Sequence, residues 1–415
     1  MVEQAAAIDP YISRFLATIT GIEGRDIILD RTYFYAESGG QPADRGTIAG
    51  IQIETVHTDE MTTSHRLVDG EQLSSGDRVV CEIDQSFRSY CMRAHTASHV
   101  LYGAARPLLD DLGYGGFDIG PEKVRIDFET TSTIDDELIL SLQRRANMAV
   151  WESRPVHWTT VPVSTALDDD SLAFNVQTEN AIFNEDDHVR VVTIGPSSID
   201  DDGSVWDIAA CGGTHVRNTR EIGSIEVLGR SNPGEGMTRI EFTVGPSAID
   251  HRYEIDSAAM ATAERMDVTI DQLPTSIDRL QSTLESRTAD LESMTDRVIR
   301  HAFSDASSIT GQSLTSTLRF ITVEDLPVDR VTQHARDIVG EDAAALVVVV
   351  DSDPSTIIVA TDGSRDASAI VASITGEFGG GGGGSDTTAQ GGGVHATPDE
   401  LVNWLQAGSW TNHIT

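Results

Sequence analysis

Cys211 and His215 stand four residues apart in "CGGTH", and His95 and His99 stand four apart in "HTASH". On a helix the His95/His99 spacing puts both imidazoles on one face. The two glycines after Cys211 let the chain turn tightly, so that thiol and imidazole can face one point. Three imidazoles and a thiolate form a neutral-nitrogen and soft-sulfur set suited to Zn2+ rather than Mg2+ or Ca2+. Either pair alone is a weak signal, and together they favour zinc over two unrelated pairs. A helical zinc protease needs glutamate after its first histidine as general base, and here that position is Thr96. Cys211 attacking as a thiolate, with His215 as its base, competes with a metal for the same lone pairs and ranks below it. Four protein ligands would close the shell of a structural metal, whereas three plus water would leave a catalytic position, and the spacing leaves both open.

These residues need elements to hold them. "RAHTASHVLYGAARPLL" reads as a helix running up to Pro107. Before it, "DIILD", "TIAGIQIETV", "HRLVDG" and "DRVVCEID" alternate apolar and polar residues between turn clusters, which predicts a small β-barrel over 1–85. After it, "KVRIDFET", "HVRVVTIG" and "GSIEVLGR" are strands around a helix near 134–152, an α+β domain over 86–248. From 249 to 305 the steps Ile277, Leu280, Leu284, Leu291, Met294 and Val298 predict a long amphipathic helix, a linker or one arm of a hairpin. The stretch 273–298 is a seam for packing within its own domain or for a homodimer, which could equally form through the C-terminal domain. Over 306–415 "ALVVVV" and "TIIVAT" are buried strands and "SRDASAIVASITGEF" a helix, an α/β domain. Its tract "GGGGGGSDTTAQGGG" is either a flexible linker or a segment where backbone must approach a phosphate-bearing partner closely.

Sixty-six acidic residues face 29 basic ones, a formal net charge of −37, and Lys123 is the only lysine. The acids are dispersed rather than gathered in a tail, the solvation pattern of proteins from salt-accumulating halophiles. In molar salt the Debye length is only about 3 Å, so repulsion of a polyanion would be weak beyond contact. Two windows depart from the acidic background: residues 86–109, with Arg88, Arg93 and Arg106 and no acid, and residues 208–242, with Arg217, Arg220, Arg230 and Arg239. Both enclose the histidine motifs and suit an anionic ligand. Three cysteines, Cys81, Cys91 and Cys211, an odd number in a long chain, argue against a disulfide framework. With no basic-then-apolar leader and no run of about 18 apolar residues, the expectation is a cytoplasmic protein with no membrane partner.

"HTASH", "CGGTHVRNTREIGSIEV" and "GMTRIEFTVG" closely resemble the editing domain of alanyl-tRNA synthetase and its free-standing AlaX-type relatives. "RTYFYAESGGQPADRGTI" resembles that family's glycine-rich barrel motif, with Ser38 where a further glycine is usual, and "AIFNEDDHVRVV" its segment before the cysteine. "GEFGGGGGGSDTTAQGGG" resembles the glycine-rich motif of the DHHA1 domain, associated in that family with tRNA binding. The resemblance implies the long AlaX form, with His95, His99, Cys211 and His215 as zinc ligands and Gln41 reaching the editing site as a catalytic group. It implies a trans-acting hydrolase that removes the wrong amino acid from mischarged tRNA(Ala), serine first and glycine as a second candidate, with no aminoacylation. Arg88, Arg93 and Arg217, and the glycines Gly380, Gly382, Gly391 and Gly392, are then the candidate tRNA contacts. Hydrogen bonds to the extra hydroxyl would select serine over alanine.

Two other readings remain open. One is a tRNA-binding protein whose zinc is structural. The other is an editing hydrolase for another aminoacyl-tRNA, such as Ser-tRNA(Thr), since threonyl editing domains share the His/His and Cys/His set. A DHH-type phosphoesterase lacks support because the chain contains no aspartate–histidine–histidine motif.

Overall fold

The architecture is taken from a computed structural model, which describes residues 5–59, 62–69, 72–168, 172–173, 188–197, 203–234, 236–309, 318–339, 344–351 and 354–408. Residues 181–187 of the "AIFNEDDHVRVV" segment lie outside them. The chain forms two compact units, Met1–Thr262 and Ala263–Thr415.

The first unit opens with a short helix α1 (Ala5–Ile8) and a closed six-stranded barrel. Its strands are β1 (Arg14–Glu23), β2 (Asp26–Leu29), β3 (Gly46–Ile48), β4 (Ile51–Asp59), β5 (Thr62–Leu67) and β6 (Arg78–Ile83). They close in the order β1-β2-β5-β4-β3-β6, every neighbouring pair antiparallel. Alternate residues turn inward, so Ile19, Ile27, Ile48, Val56 and Leu67 fill the interior. β1 escapes the pattern reading because alanine, threonine and glycine dilute its alternation.

Asp84 then caps helix α2 (Gln85–Ala105), accepting from the amides of Ser86 and Phe87. The helix starts eight residues before the window that "RAHTASH" suggested and stops before Pro107. It is the central element of this unit and almost wholly buried. Helix α3 (Asp136–Trp151) packs along it, and two antiparallel sheets surround the pair. One has the order β12-β13-β8-β7, from β7 (Gly113–Ile119), β8 (Val124–Glu129), β12 (Ile225–Gly234) and β13 (Met237–Val244). The other has the order β11-β10-β9, from β9 (Val156–Pro162), β10 (His188–Ile194) and β11 (Asp207–Ala210), with α4 (Val163–Leu167) beside it.

Helix α5 (Pro246–Arg265) crosses the boundary between the units, and α6 (Leu273–Ser304) begins the second after a Thr269/Gln272 capping box. The second unit's sheet runs β14-β15-β16-β17-β19-β18. Its strands are β14 (Ser307–Ile309), β15 (Leu318–Glu324), β16 (Ala345–Asp351), β17 (Ser355–Thr361), β18 (Gly381–Gly384) and β19 (Thr388–Val394). Only β15 and β16 pair in parallel. One face is covered by α7 (Val328–Ile338) and by Ile299 and Phe303 of α6. The other is covered by α8 (Ala367–Phe378) and α9 (Pro398–Ala407). Burial on both faces is why β16 reads as an unbroken apolar run.

The glycine tract is not a linker: β18 and β19 pair as a hairpin at the sheet edge. A Cβ on Gly380 or Gly382 would overlap a carbonyl oxygen of β19, and one on Gly391 would press on Thr375, Val371 and Ile357. Packing therefore demands glycine at Gly380 and Gly382 and crowds any side chain at Gly391, while Gly392 faces open space.

Candidate metal centre

His95 and His99 lie one turn apart on α2, their rings stacked with centroids 5.6 Å apart. Cys211 and His215 arrive on the loop that follows β11. The donor atoms of all four lie within 4.8 Å of one another. The Cys211 Sγ is 3.2 Å from Nε2 of His95 and 3.2 Å from Nε2 of His215. Ligand atoms of a tetrahedral zinc sit roughly 3.5 Å apart, given Zn–N and Zn–S lengths near 2.1 and 2.3 Å. The four can thus hold a metal ion.

Each imidazole is held from behind. His95 Nδ1 meets Gln41 Oε1 at 3.0 Å, His99 Nδ1 meets Asp207 Oδ2 at 2.9 Å, and His215 Nδ1 meets Thr96 Oγ1 at 3.2 Å. The Thr96 hydroxyl donates to Met92 O at 2.8 Å, so its oxygen is left to accept from His215 and from the Val216 amide. Gln41 Oε1 also accepts from the Thr214 amide at 3.0 Å, while Nε2 donates to Thr214 Oγ1 at 2.9 Å. Such partners fix the tautomer and leave the other ring nitrogen to a metal. Arg190 clamps the cysteine loop, donating to the carbonyls of Cys211 and Gly213 at 2.7 and 3.0 Å and to Ala7 O at 3.0 Å. Gly213 must be glycine, because a Cβ there would overlap the His95 ring.

Burial opposes charge throughout the cluster. It works against the Cys211 thiolate, yet the charges and hydrogen bonds of His95 and His215 hold that thiol well below its ordinary range. Burial pushes His215 down to about 3. It also opposes protonation of His99, where the bonds to Asp207 and Cys211 prevail and bring the imidazole up to about 10. A thiolate beside a neutral His215 is a ligand-ready pair.

Residues 189–241 match the family described as threonyl and alanyl tRNA synthetase second additional domain, and residues 5–87 match tRNA synthetases class II (A). Both matches are to families of tRNA synthetase domains, and alanine–tRNA ligases are similar to the chain over part of their length. The alanine–tRNA ligase of Methanothrix thermoacetophila is 34% identical over 269 residues, which are 64% of this chain and 28% of that protein. That of Methanoregula boonei is 27% identical over 390 residues, 92% of this chain and 41% of that protein. The chain therefore spans well under half the length of these relatives. The crystal structure of the C-Ala domain from Aquifex aeolicus alanyl-tRNA synthetase aligns at 19% identity with 24% of this chain and 96% of that one, at a TM-score of 0.21, too low to argue from.

Of the two matched stretches, the one to the second additional domain contains Cys211 and His215, and the class II one contains the barrel turn. In that turn Ser38 and Gln41 exchange backbone hydrogen bonds around Gly39 and Gly40, whose φ values are +57° and +84°. The demand for positive φ falls on the two glycines, so serine at 38 carries no backbone strain.

Two of the expected site residues lie in the interior. Gln41 is fully buried, its Oε1 on His95 Nδ1 and the Thr214 amide and its Nε2 on Thr214 Oγ1, which places it directly behind the centre. Arg88 is also fully buried, paired with Asp44 through Nε at 2.9 Å and donating to the carbonyls of Pro10 and Tyr33, so it is no surface contact for RNA. Its acid-free sequence window concealed a partner 44 residues away. Arg217 is exposed, stacked on Tyr11 at 4.8 Å, and Arg93 is half-buried beside Gly245. The sequence reading missed Asp207, Thr214 and Arg190, and noted Thr96 only for what it is not. Asp207, four residues before Cys211, was the one most open to detection, since ligating histidines commonly bond a carboxylate.

Proposed function

We propose that this chain is an aminoacyl-tRNA hydrolase that clears mischarged tRNA(Ala), chiefly Ser-tRNA(Ala) and also Gly-tRNA(Ala), with Zn2+ as cofactor. The observation that carries the reading is the convergence of His95, His99, Cys211 and His215, each imidazole held by its own polar partner, where the chain matches the second additional domain of threonyl and alanyl synthetases. The match to alanine–tRNA ligases favours tRNA(Ala) over tRNA(Thr). The proposal covers hydrolysis alone, and alanine-dependent pyrophosphate exchange is the control that separates it from aminoacylation.

An aminoacyl ester at a terminal ribose is already activated, so its hydrolysis needs a placed water and a stabilised oxyanion rather than a strong nucleophile. A zinc ion, when bound, supplies Lewis-acid polarisation or an anchor for the substrate's amino group. Gln41, Thr96 and Asp207 orient the histidines, and Arg190 fixes the backbone between Cys211 and Gly213. Arg93, Arg217 and the glycine hairpin are the proposed tRNA contacts.

The test is deacylation of Ser-tRNA(Ala) beside Ala-tRNA(Ala) by wild type and Cys211→Ala. Loss of serine only, abolished in the variant, is the expected result. A second reading, a zinc-containing tRNA-binding protein without catalysis, is favoured by the four converging protein donors, which can close the coordination shell. Folded, metal-loaded, tRNA-binding protein that cleaves neither ester would establish that second reading.

A further inference from the structure

A cavity of about 840 Å3 opens between the C-terminal end of α2, one face of α3 and the segment Ser204–Trp206. Arg106, Arg144, Arg145 and Arg154 line it, against a single carboxylate, Glu152. In a chain of formal charge −37 this concentration of guanidinium groups is a local reversal of sign. Trp206 organises it: Arg154 lies over the indole at 4.7 Å and Arg145 at 5.8 Å, while the ring's Nε1 donates to Val100 O at 3.0 Å. With guanidinium groups stacked on it, the indole is a platform for cations rather than for a nucleobase. Arg144 is exposed and has no partner among the described residues.

Behind the wall, Arg106 Nη2 lies 3.3 Å from Asp207 Oδ1, and the other oxygen of the same carboxylate holds His99. One buried side chain thus joins the cavity to the candidate metal centre. The volume is that of a nucleotide-sized ligand and far exceeds one orthophosphate.

The geometry points to a second substrate subsite: this cavity takes backbone phosphates of the RNA whose aminoacyl end is cleaved at the metal centre. The assignment rests on the proposed tRNA substrate, not on hydrolysis. The guanidinium groups of Arg106, Arg144 and Arg145 meet the phosphodiester oxygens, and Asp207 ties that contact to the orientation of His99.

The experiment is equilibrium binding of uncharged tRNA(Ala) to the full chain over a range of KCl, for wild type, Arg144→Gln and Arg144→Glu. Arg78→Glu on β6, outside the cavity, is the control for net charge. Arg144→Glu is expected to weaken binding about tenfold at low salt and to flatten the slope of log K against log salt by about one, with Arg144→Gln intermediate. Because no chemistry is read, a chain that binds tRNA in this Arg144-dependent way without cleaving the ester keeps the subsite and loses only the hydrolase reading. Unchanged affinity and slope in a variant with wild-type melting would overturn the subsite, as would an equal loss in Arg78→Glu. A third arm titrates inorganic phosphate against Trp206 fluorescence, read as the difference from Trp206→Phe. Saturation by submillimolar phosphate, with tRNA binding indifferent to Arg144, would assign the cavity to a free anion and overturn the RNA assignment.

Discussion

At the scale of single residues, the centre depends as much on the groups behind the ligands as on the ligands. Asp207 serves His99 on one oxygen and Arg106 on the other, both within 3.3 Å. Asp207→Asn is expected to lower metal affinity about 10–100-fold while leaving the fold intact, measured by competition with a chromogenic chelator. A second residue prediction concerns His65, fully buried in the barrel between Ile27 O at 3.0 Å and Thr32 Oγ1 at 2.8 Å. Burial pushes its imidazole down to about 4. The unfolded chain therefore takes up this proton first, and the folded state loses stability as pH falls from about 6.5 towards 4, by up to about 3 kcal/mol. The difference between wild type and His65→Gln in urea midpoint, followed from pH 7 to 4.5, isolates it; a constant difference would refute it. That these four donors could form one set was legible in the sequence, because few residue types bind zinc and their spacing is restrictive. The true place of Gln41 was not, because its partner Thr214 lies 173 residues away and no local pattern encodes that meeting.

At the scale of elements, strongly patterned segments such as β10, β16 and α6 followed from periodicity, but β1, β7, β9 and the glycine hairpin did not. A linker and a tightly packed hairpin have the same composition, and what separates them is the far surface, Val371 and Thr375 of α8, against which β18 and β19 are pressed. The hairpin gives a paired expectation. Gly382→Ala puts a Cβ into the Gln390 carbonyl and beside Val371, and should destabilise the second unit by about 1–3 kcal/mol. Gly383→Ala meets nothing within 4 Å and should change stability by no more than about 0.5 kcal/mol. Thermal melts of the two variants provide the comparison, and equal melting temperatures would count against the hairpin. The Arg88–Asp44 pair shows the opposite limit: α2 is obvious from its sequence, yet the buried charge that ties it to the barrel reads as a surface arginine until the two elements are seen together.

At the scale of the molecule, α6 leaves Ile277, Leu280, Leu284, Leu291, Met294 and Val298 between 45% and 69% exposed. Apolar residues in heptad-like register along one stripe suit a seam with a second copy of the chain. Sedimentation equilibrium at micromolar concentration should then give a dimer, and Leu284→Glu with Leu291→Glu a monomer. A monomeric wild type would rule the seam out. Among the described residues no helix is long and apolar enough to cross a membrane.

The way the centre is assembled also bears on the order of events in the life of the chain. A nascent polypeptide synthesised only as far as residue 200 holds two of the four donors, and no thiol among them. The set is complete only after His215 has been made, and His95 is aimed only once the turn at Gln41 has docked against Thr214. Capture of an ion by all four donors would therefore wait until His215 has been made, while β12 and β13 of the same unit are still to come.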